Sequence, residues 1–172
     1  MRKLALALVA TAVLLALPSQ VEAQLQVGPY AAFHDDADFG VGGFVAFPVP
    51  SLHEDVAIVA DFGIFFPDRF DYWELNGNVQ WSFPSDGGHF TPWVFAGINI
   101  ANASIDTGID IIDEIASDTE IGLNLGGGAT FGTGPVRPFG GVKLELREGS
   151  PFALFGGVSF TVGGDSGDTG GE

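Results

Sequence analysis

Residues 72–83 read YWELNGNVQWSF and decide the fold, because their side chains alternate between two characters. Every second residue is apolar, aromatic or small: Trp73, Leu75, Gly77, Val79, Trp81 and Phe83. The residues between them are polar: Glu74, Asn76, Asn78, Gln80 and Ser82. A period of two belongs to a β-strand, whose successive side chains point to opposite faces. The stretch therefore predicts a strand with one polar and one apolar face.

Seven further segments show the same period, and turn-forming Gly, Pro, Asp and Ser residues separate them. They are residues 25–33, 39–47, 56–66, 92–102, 120–131, 136–147 and 152–162. The eight segments are nine to twelve residues long, close to the roughly 9–11 residues that cross a bilayer as a tilted strand. We predict an all-β protein, a closed antiparallel up-and-down transmembrane barrel of about eight strands.

The first 23 residues have the pattern of a secretory signal peptide. Arg2 and Lys3 precede an apolar run at residues 4–17, and Val21 and Ala23 occupy the small-residue positions before a cleavage site. We expect cleavage between Ala23 and Gln24. The run is shorter than the roughly 20 residues that span hydrocarbon as a helix, and no later stretch reaches about 18 apolar residues, so a helical membrane protein is excluded.

Charge and cysteine content narrow the function classes further. The chain of 172 residues carries a net charge of −16, and removing residues 1–23 makes the remaining 149 more negative by one, because two basic residues leave with one acid. Such a chain repels phosphates, so nucleic acid is not an expected partner. It has no cysteine, which excludes disulfides, thiolate metal sites and a lipoprotein anchor.

The composition of the two faces favours lipid outside the barrel. The less apolar face is Gly, Asn, Gln and Ser, with three basic residues over all eight segments: Arg137, Lys143 and Arg147. The opposite face is rich in Val, Leu, Ile and Phe. Aromatic residues lie near the ends of the segments, where the girdles of membrane barrels occur: Phe33, Phe47, Phe66, Trp73, Trp81, Phe83, Phe131, Phe152 and Phe160. A soluble periplasmic barrel of the lipocalin type, with these residues in its core, remains the alternative.

With its signal peptide and hairpin series, the chain resembles the small eight-stranded outer-membrane barrels, the relatives of the OmpA transmembrane domain, OmpX and OmpW, also called "porin family" proteins. The motifs are LNGNVQWSF at 75–83, GTGPVRPF at 132–139 and PFALFGGVSFTV at 151–162, and the resemblance covers residues 24–162. It implies a monomer in outer-membrane lipid and lipopolysaccharide, inserted by the barrel-assembly machinery. One departure is that Phe160 is followed by twelve residues, whereas the family usually ends on an aromatic. We expect residues 163–172 to form a disordered Gly/Asp tail.

Six charged residues on the inward face are the first candidate site: Asp61, Glu74, Glu120, Arg137, Lys143 and Glu145. Strands three and seven lie roughly opposite in an eight-stranded barrel, so Asp61 and Lys143 are expected to meet across the lumen. The set predicts a structural network of ion pairs in a narrow interior, or a narrow pathway that prefers cations. Inward aromatic residues leave a passage for small apolar solutes open as a further alternative: Tyr30, Phe44, Phe65, Trp93, Phe95, Phe139 and Phe155.

Acidic connections are the second candidate, for divalent cations or lipopolysaccharide, against a merely solvated rim. They hold Asp35, Asp36, Asp38, Asp106, Asp110, Asp113, Glu114 and Asp118. No EF-hand spacing occurs, so no metal site is firmly predicted, and no cofactor is expected. His34, His53 and His89 are scattered over three different connections, with His34 expected on the outer rim, and no catalytic motif accompanies them. We therefore predict a structural or permeability-related protein rather than an enzyme.

Overall fold

The computed structural model describes residues 25–68, 70–85, 87–104 and 117–163. The chain forms eight strands: β1 (Leu25–His34), β2 (Asp38–Pro48), β3 (Val56–Phe65), β4 (Asp71–Ser82), β5 (Phe90–Ser104), β6 (Ser117–Phe131), β7 (Val136–Leu146) and β8 (Phe152–Val162). They close into one barrel in sequence order, so the predicted fold class is confirmed. In the described part of the chain, no helix has the length and apolar character needed to cross a membrane.

Every strand pairs antiparallel with its sequence neighbour, and β8 returns to pair with β1. This last ladder joins Leu25 to Val162 and His34 to Ala153. Closure satisfies the backbone donors and acceptors of both outer strands, which would otherwise be exposed edges. The alternation seen in the sequence then fixes which side chains enter the barrel and which face outward.

Strand bounds differ from the predicted ones mainly at β5 and β6, which are 15 residues each. Their ladder continues from Asn102↔Thr119 to Ser104↔Ser117, and the amide of Asn102 donates to the carbonyl oxygen of Asp118 at 3.0 Å. The sequence did not predict this extension, because the added residues are polar or small on both faces and show no alternation.

The two ends of the barrel are called here the far end and the near end. β1 ends and β2 begins at the far end, whereas β1 begins and β8 ends at the near end. The first connection lies at the far end and turns through Asp38, whose φ of 57° is left-handed, a conformation that Asp tolerates better than most residues. The predicted leader (1–23), the tail residues 164–172 and the acids Asp106, Asp110, Asp113 and Glu114 lie outside the described residues.

The outward face of the barrel is an exposed apolar surface bounded by aromatic residues. At the far end Phe33 pairs with Phe39, and at the near end Phe90 pairs with Phe131 at 5.6 Å between ring centroids. Between these rims, no outward-facing residue of the eight described strands carries a charge. Large apolar side chains are half exposed there, for example Ile98 at 55% and Leu123 at 55%.

Inside the barrel, bulky rings lie directly over glycines. A Cβ atom on Gly126 would lie 2.3 Å from the Phe95 ring, and one on Gly128 would lie 2.4 Å from Trp93. A Cβ atom on Gly42 would meet the ring of Tyr30 at 2.4 Å. Only a residue without a side chain leaves room for these rings. Glycine and aromatic residues therefore alternate frequently in the sequence because the narrow lumen has room for a ring only where a neighbouring residue has no side chain.

Candidate functional site

The far half of the lumen is filled by ionised side chains centred on Lys143. Its Nζ lies 2.5 Å from Oε2 of Glu74 and 2.7 Å from Oε1 of Glu145. The first carboxylate comes from β4 and the second from the same strand as the lysine. Both glutamate side chains are almost wholly buried, at 1% and 0% exposure. A buried carboxylate is stable as an ion only when it is paired and hydrogen-bonded, and the lysine supplies this pairing for two acids at once.

Arg147, just beyond β7, extends the cluster. Its guanidinium contacts Oε2 of Glu120 at 2.5 Å and Oε2 of Glu145 at 2.8 Å. It also donates to the Tyr72 hydroxyl at 2.7 Å, and that hydroxyl donates to Oε1 of Glu74 at 2.8 Å. Burial by itself would lower the pKa of Arg147, but its hydrogen bonds to Glu145 and Glu120 raise that pKa above its usual value. The guanidinium is thus a fixed cation that ties three strands together.

His34, the last residue of β1, is fully buried against the same cluster. Its Nδ1 accepts a hydrogen bond from the backbone N–H of Asp36 at 3.1 Å, from which we infer that Nε2 carries the ring hydrogen. Nε2 lies 3.3 Å from Oε1 of Glu74 and 3.5 Å from Oε1 of Glu145. The expectation that His34 lies on the outer rim is wrong. β1 continues one residue further than predicted and includes His34. Even-numbered residues of β1 face the lumen, so the ring of His34 points inward.

His34, Glu74 and Glu145 are also the three described residues whose donor atoms lie close enough together, within 4.8 Å, to hold a metal ion. Two observations argue against a metal. Nδ1 accepts from the Asp36 backbone N–H, which favours a hydrogen rather than a free lone pair on Nε2, the nitrogen that faces the carboxylates. The ammonium of Lys143 already contacts both carboxylates. The group is therefore better described as an ion-pair cluster than as a metal centre.

A layer of asparagines crosses the middle of the lumen. Oδ1 of Asn76 accepts hydrogen bonds from the amides of Asn99 and Asn124, each at 2.8 Å. The amide of Asn124 also lies 3.1 Å from Oδ1 of Asn78. The four side chains come from three consecutive strands and are all buried. They fill the section of the barrel that lies against the charged cluster.

Asp61 of β3 is bound to this amide layer. Its Oδ1 accepts from the Asn76 amide at 2.8 Å and from the Tyr30 hydroxyl at 3.1 Å. Its Oδ2 has a longer contact, 3.4 Å to the amide of Asn78. Asp61 does not lie within 4.0 Å of Lys143, so the two residues expected to meet across the lumen do not form an ion pair.

Aromatic rings of the near half of the lumen line a cavity of about 100 Å³ that extends into the far half as far as Phe65 and Glu74. Trp93 stacks on Phe155 at 6.0 Å between centroids, and its indole N–H donates to the Thr130 hydroxyl at 3.1 Å. Asp61 and Lys143 line the cavity between its two ends, and Gln26 lines it toward the near end. The two halves of the lumen therefore differ in chemistry, although both are built from inward positions of the same strands.

The structure brings together four of the six predicted lumen charges: Glu74, Lys143 and Glu145 in direct contact, and Glu120 through Arg147. Asp61 stands apart on the amide layer. Arg137, on the inward face of β7 near its start, has no carboxylate within 4.0 Å among the described residues.

Among the predicted loop acids that the structure describes, Asp35 accepts a hydrogen bond from the backbone N–H of Phe152 at 2.9 Å, and Asp36, Asp38 and Asp118 are exposed. They stay a prediction as a cation site.

Sequence reasoning missed His34, Tyr72 and the four asparagines as site residues. The signal was present, because each occupies the same parity as a residue already assigned to the lumen. Arg147 was placed on the inward face of its strand, but its role in joining Glu120 to Glu145 was not recognised. The odd or even position of a residue along its strand tells which face its side chain occupies. It does not tell which residue of another strand that side chain contacts.

An eight-stranded barrel with an apolar outer face and a filled, polar interior has the architecture of the small outer-membrane barrels. Two such solved structures are similar in fold. The N-terminal barrel domain of Pseudomonas aeruginosa OprF superposes with a TM-score of 0.64 at 16% identity, over 81% of this chain and 99% of that one. Neisserial surface protein A gives 0.62 at 15% identity, over 83% and 98%.

A computationally designed barrel, described as a de novo transmembrane β-barrel, gives a TM-score of 0.55 at 15% identity, over 85% of this chain and 100% of that one. No protein-family model and no curated protein matches the sequence. At these identities the likeness concerns the fold alone.

Proposed function

We propose that this protein is an integral outer-membrane barrel with a structural role in the cell envelope and no enzymatic activity. The observation that carries the proposal is that the barrel is polar inside and apolar outside, the reverse of a soluble protein. Among the described strands, Glu74, Glu120, Lys143 and Glu145 lie in the lumen in ion pairs, whereas the outward face between the aromatic rims carries no charge. In water this arrangement would expose a continuous apolar surface around the whole barrel, which soluble monomers avoid. In lipid it is the expected arrangement.

The spacing of the aromatic rims fits a bilayer. Trp73 and Trp81 lie on the outward face of β4, eight residues apart. At ~3.3 Å per residue and a strand tilt of ~40°, this separation is roughly 20 Å along the barrel axis, close to the ~25 Å apolar band of outer-membrane barrels. The aromatic residues therefore stand where the two lipid–water interfaces would be.

The filled lumen favours a structural role over a channel. The charged cluster and the asparagine layer occupy the far half and the middle of the barrel, and Glu74 and Lys143 of that cluster line the cavity. Eight-stranded barrels are in general too narrow for an aqueous pore.

Membrane fractionation tests the proposal, combined with electrophoresis of boiled and unboiled samples. The protein is expected in the outer-membrane fraction, and the unboiled form is expected to migrate differently because the closed barrel survives cold detergent. A soluble periplasmic barrel would instead appear in the osmotic-shock fluid without detergent and would migrate identically in both samples. That result would contradict the membrane assignment.

Conductance across a planar bilayer tests the second part, the closed lumen. The purified protein is expected to give no steps above background in potassium chloride, since the cluster around Lys143 blocks the far half. Regular cation-selective steps would support the alternative, a narrow pathway for cations, and would reject the structural role proposed here.

Export and assembly belong to the same proposal. We infer that residues 1–23 are removed between Ala23 and Gln24, that the barrel-assembly machinery inserts the chain as a monomer, and that the far end meets the lipopolysaccharide leaflet. Amino-terminal sequencing of the mature protein is expected to begin at Gln24, and protease added to intact cells is expected to reach far-end connections only.

A further inference from the structure

The cavity in the lumen has a lining that the structural role does not require. It measures about 100 Å³ and extends from Gln26 in the near half to Phe65 and Glu74 in the far half. Seven aromatic residues line it: Tyr30, Phe44, Phe65, Trp93, Phe95, Phe139 and Phe155. Their positions are fixed by mutual edge and stacking contacts, such as the 5.2 Å between the Phe44 and Phe139 centroids. The cavity is therefore a preformed aromatic cage.

Two carboxylates line this cage, those of Asp61 and Glu74, and Glu74 is paired with Lys143. Asp61 uses Oδ1 for its two short hydrogen bonds, whereas Oδ2 has only the 3.4 Å contact with Asn78. No basic side chain of the described residues lies within 4.0 Å of Asp61. Lys143 also lines the cavity, but Glu74 and Glu145 hold its ammonium at 2.5 and 2.7 Å.

The charge around the cavity is consequently negative. Its charged lining residues are two acids, Asp61 and Glu74, and one base, Lys143. The ammonium of Lys143 is held by Glu74 and Glu145, and Arg147 is shared between Glu145 and Glu120. Arg137 does not line the cavity. An anion would meet the free oxygen of Asp61, and a neutral apolar molecule would leave that oxygen without a charge partner. A cation satisfies it.

We infer that this cavity is a binding site for a small organic cation of the quaternary ammonium class, reached from the near end. The faces of aromatic rings attract such cations, and cages of aromatic residues recognise quaternary ammonium groups more generally. The cavity, at about 100 Å³, is smaller than the apolar cavity on the order of 150 Å³ that holds a benzene molecule, so we expect it to take the compact ammonium group with the rest of the ligand directed toward the near end. Asp61 supplies the counter-charge, and the rings supply contacts that a strongly hydrated metal ion would not use.

Calorimetric titration of the full-length mature protein with choline chloride tests this inference. The protein is kept in a maltoside detergent, because phosphocholine lipids and detergents carry the probe group themselves. The neutral control ligand is 3,3-dimethyl-1-butanol, in which carbon replaces the nitrogen of choline. We expect saturable binding of choline and binding of the alcohol weaker by about tenfold.

Two matched variants assign the binding to the cavity. Asp61→Asn keeps the hydrogen-bond acceptor but removes the charge, and it is expected to weaken choline binding about tenfold. Asp71→Asn makes the same change at an exposed outward position of β4, and is expected to leave the affinity unchanged. Should Asp61→Asn fail to give the heat-modifiable folded form, Phe95→Leu takes its place, with an expected loss of several-fold for choline and little change for the alcohol.

The fluorescence of Trp93 gives a second measurement in a Trp73→Phe, Trp81→Phe background, where choline is expected to change the emission. The inference is overturned by any of four results: no saturable choline binding, equal affinity for the alcohol, an unchanged affinity in Asp61→Asn or its replacement, or an equal loss in Asp71→Asn. Each of these leaves the membrane barrel and its structural role untouched, because fractionation and conductance test those independently.

Discussion

The two faces of the barrel sheet differ in how their side chains are accommodated. On the outward face, neighbouring apolar residues such as Ile98 and Leu123 pair across strands and remain half exposed, so each one depends on the surrounding medium. On the inward face, each large side chain depends on a particular partner: a glycine beneath a ring, or a carboxylate beside a cation. The outer face therefore requires only that its residues be apolar. The inner face requires particular pairs of residues that fit each other in size or charge.

The largest expected effect comes from removing a partner on the inner face. Lys143→Met leaves Glu74 and Glu145 buried without their ammonium, and should lower the free energy of unfolding by about 3–5 kcal/mol. Urea titration from lipid vesicles, followed by tryptophan fluorescence, measures it. Arg137→Met is the matched control, since Arg137 is partly exposed and unpaired within 4.0 Å among the described residues; its expected loss is below about 1 kcal/mol.

A triple variant sharpens this prediction. Lys143→Met combined with Glu74→Gln and Glu145→Gln removes the two carboxylate charges that lose the ammonium in the single variant, and should be less destabilised than Lys143→Met alone. Equal or greater loss in the triple variant would mean that the lysine contributes by filling space rather than by pairing charge.

The next largest effect concerns the medium of the outer face. Leu123→Arg places a charge at the middle of the apolar belt and should cost about 2–4 kcal/mol in vesicles. Leu52→Arg makes the same change in the connection between β2 and β3, where the leucine is 70% exposed, and should be near neutral. The same urea titration compares them, and equal stability of the two variants would place both positions in water.

The smallest expected effect is a change in the free energy of unfolding that has opposite signs on the two faces. Gly128→Ala should destabilise the barrel by about 1–3 kcal/mol, because the new methyl would lie 2.2 Å from the Gly140 carbonyl oxygen and 2.4 Å from Trp93. Gly43→Ala points outward, and its nearest neighbour is 3.7 Å away. Removing a flexible glycine there should stabilise the strand by about 0.5 kcal/mol. Changes of the same sign in urea titrations would refute the ring-over-glycine account.

Much of the fold was predictable from sequence, because a strand's period is a local property. The alternation at residues 72–83 specified both faces of β4, and β8 was predicted with the observed bounds, Phe152–Val162. The far-end extension of β5 and β6 was not predictable in this way. Its polar residues pair through backbone and amide hydrogen bonds, which leave no periodic signature.

The partners inside the lumen were harder to predict, since they depend on the stagger between strands around the closed barrel. Counting strands placed Asp61 opposite Lys143, but the lysine meets Glu74 on β4 instead. His34 shows the same limit at a strand end. A difference of one residue in the length of β1 moves its ring from the rim into the buried cluster.

The pairing of β1 with β8 has a consequence for biogenesis. Leu25 and Val162 form one rung of this seam, so the first strand cannot find its final neighbour until almost the whole barrel segment has been made. Loop closure over such a distance is slow and comes late in folding. A chain cut short before β8 would carry two open strand edges, which lipid does not tolerate. A chain without β8 would therefore not insert stably into the bilayer. Pairing of β1 with β8 would thus make insertion depend on a full-length barrel segment.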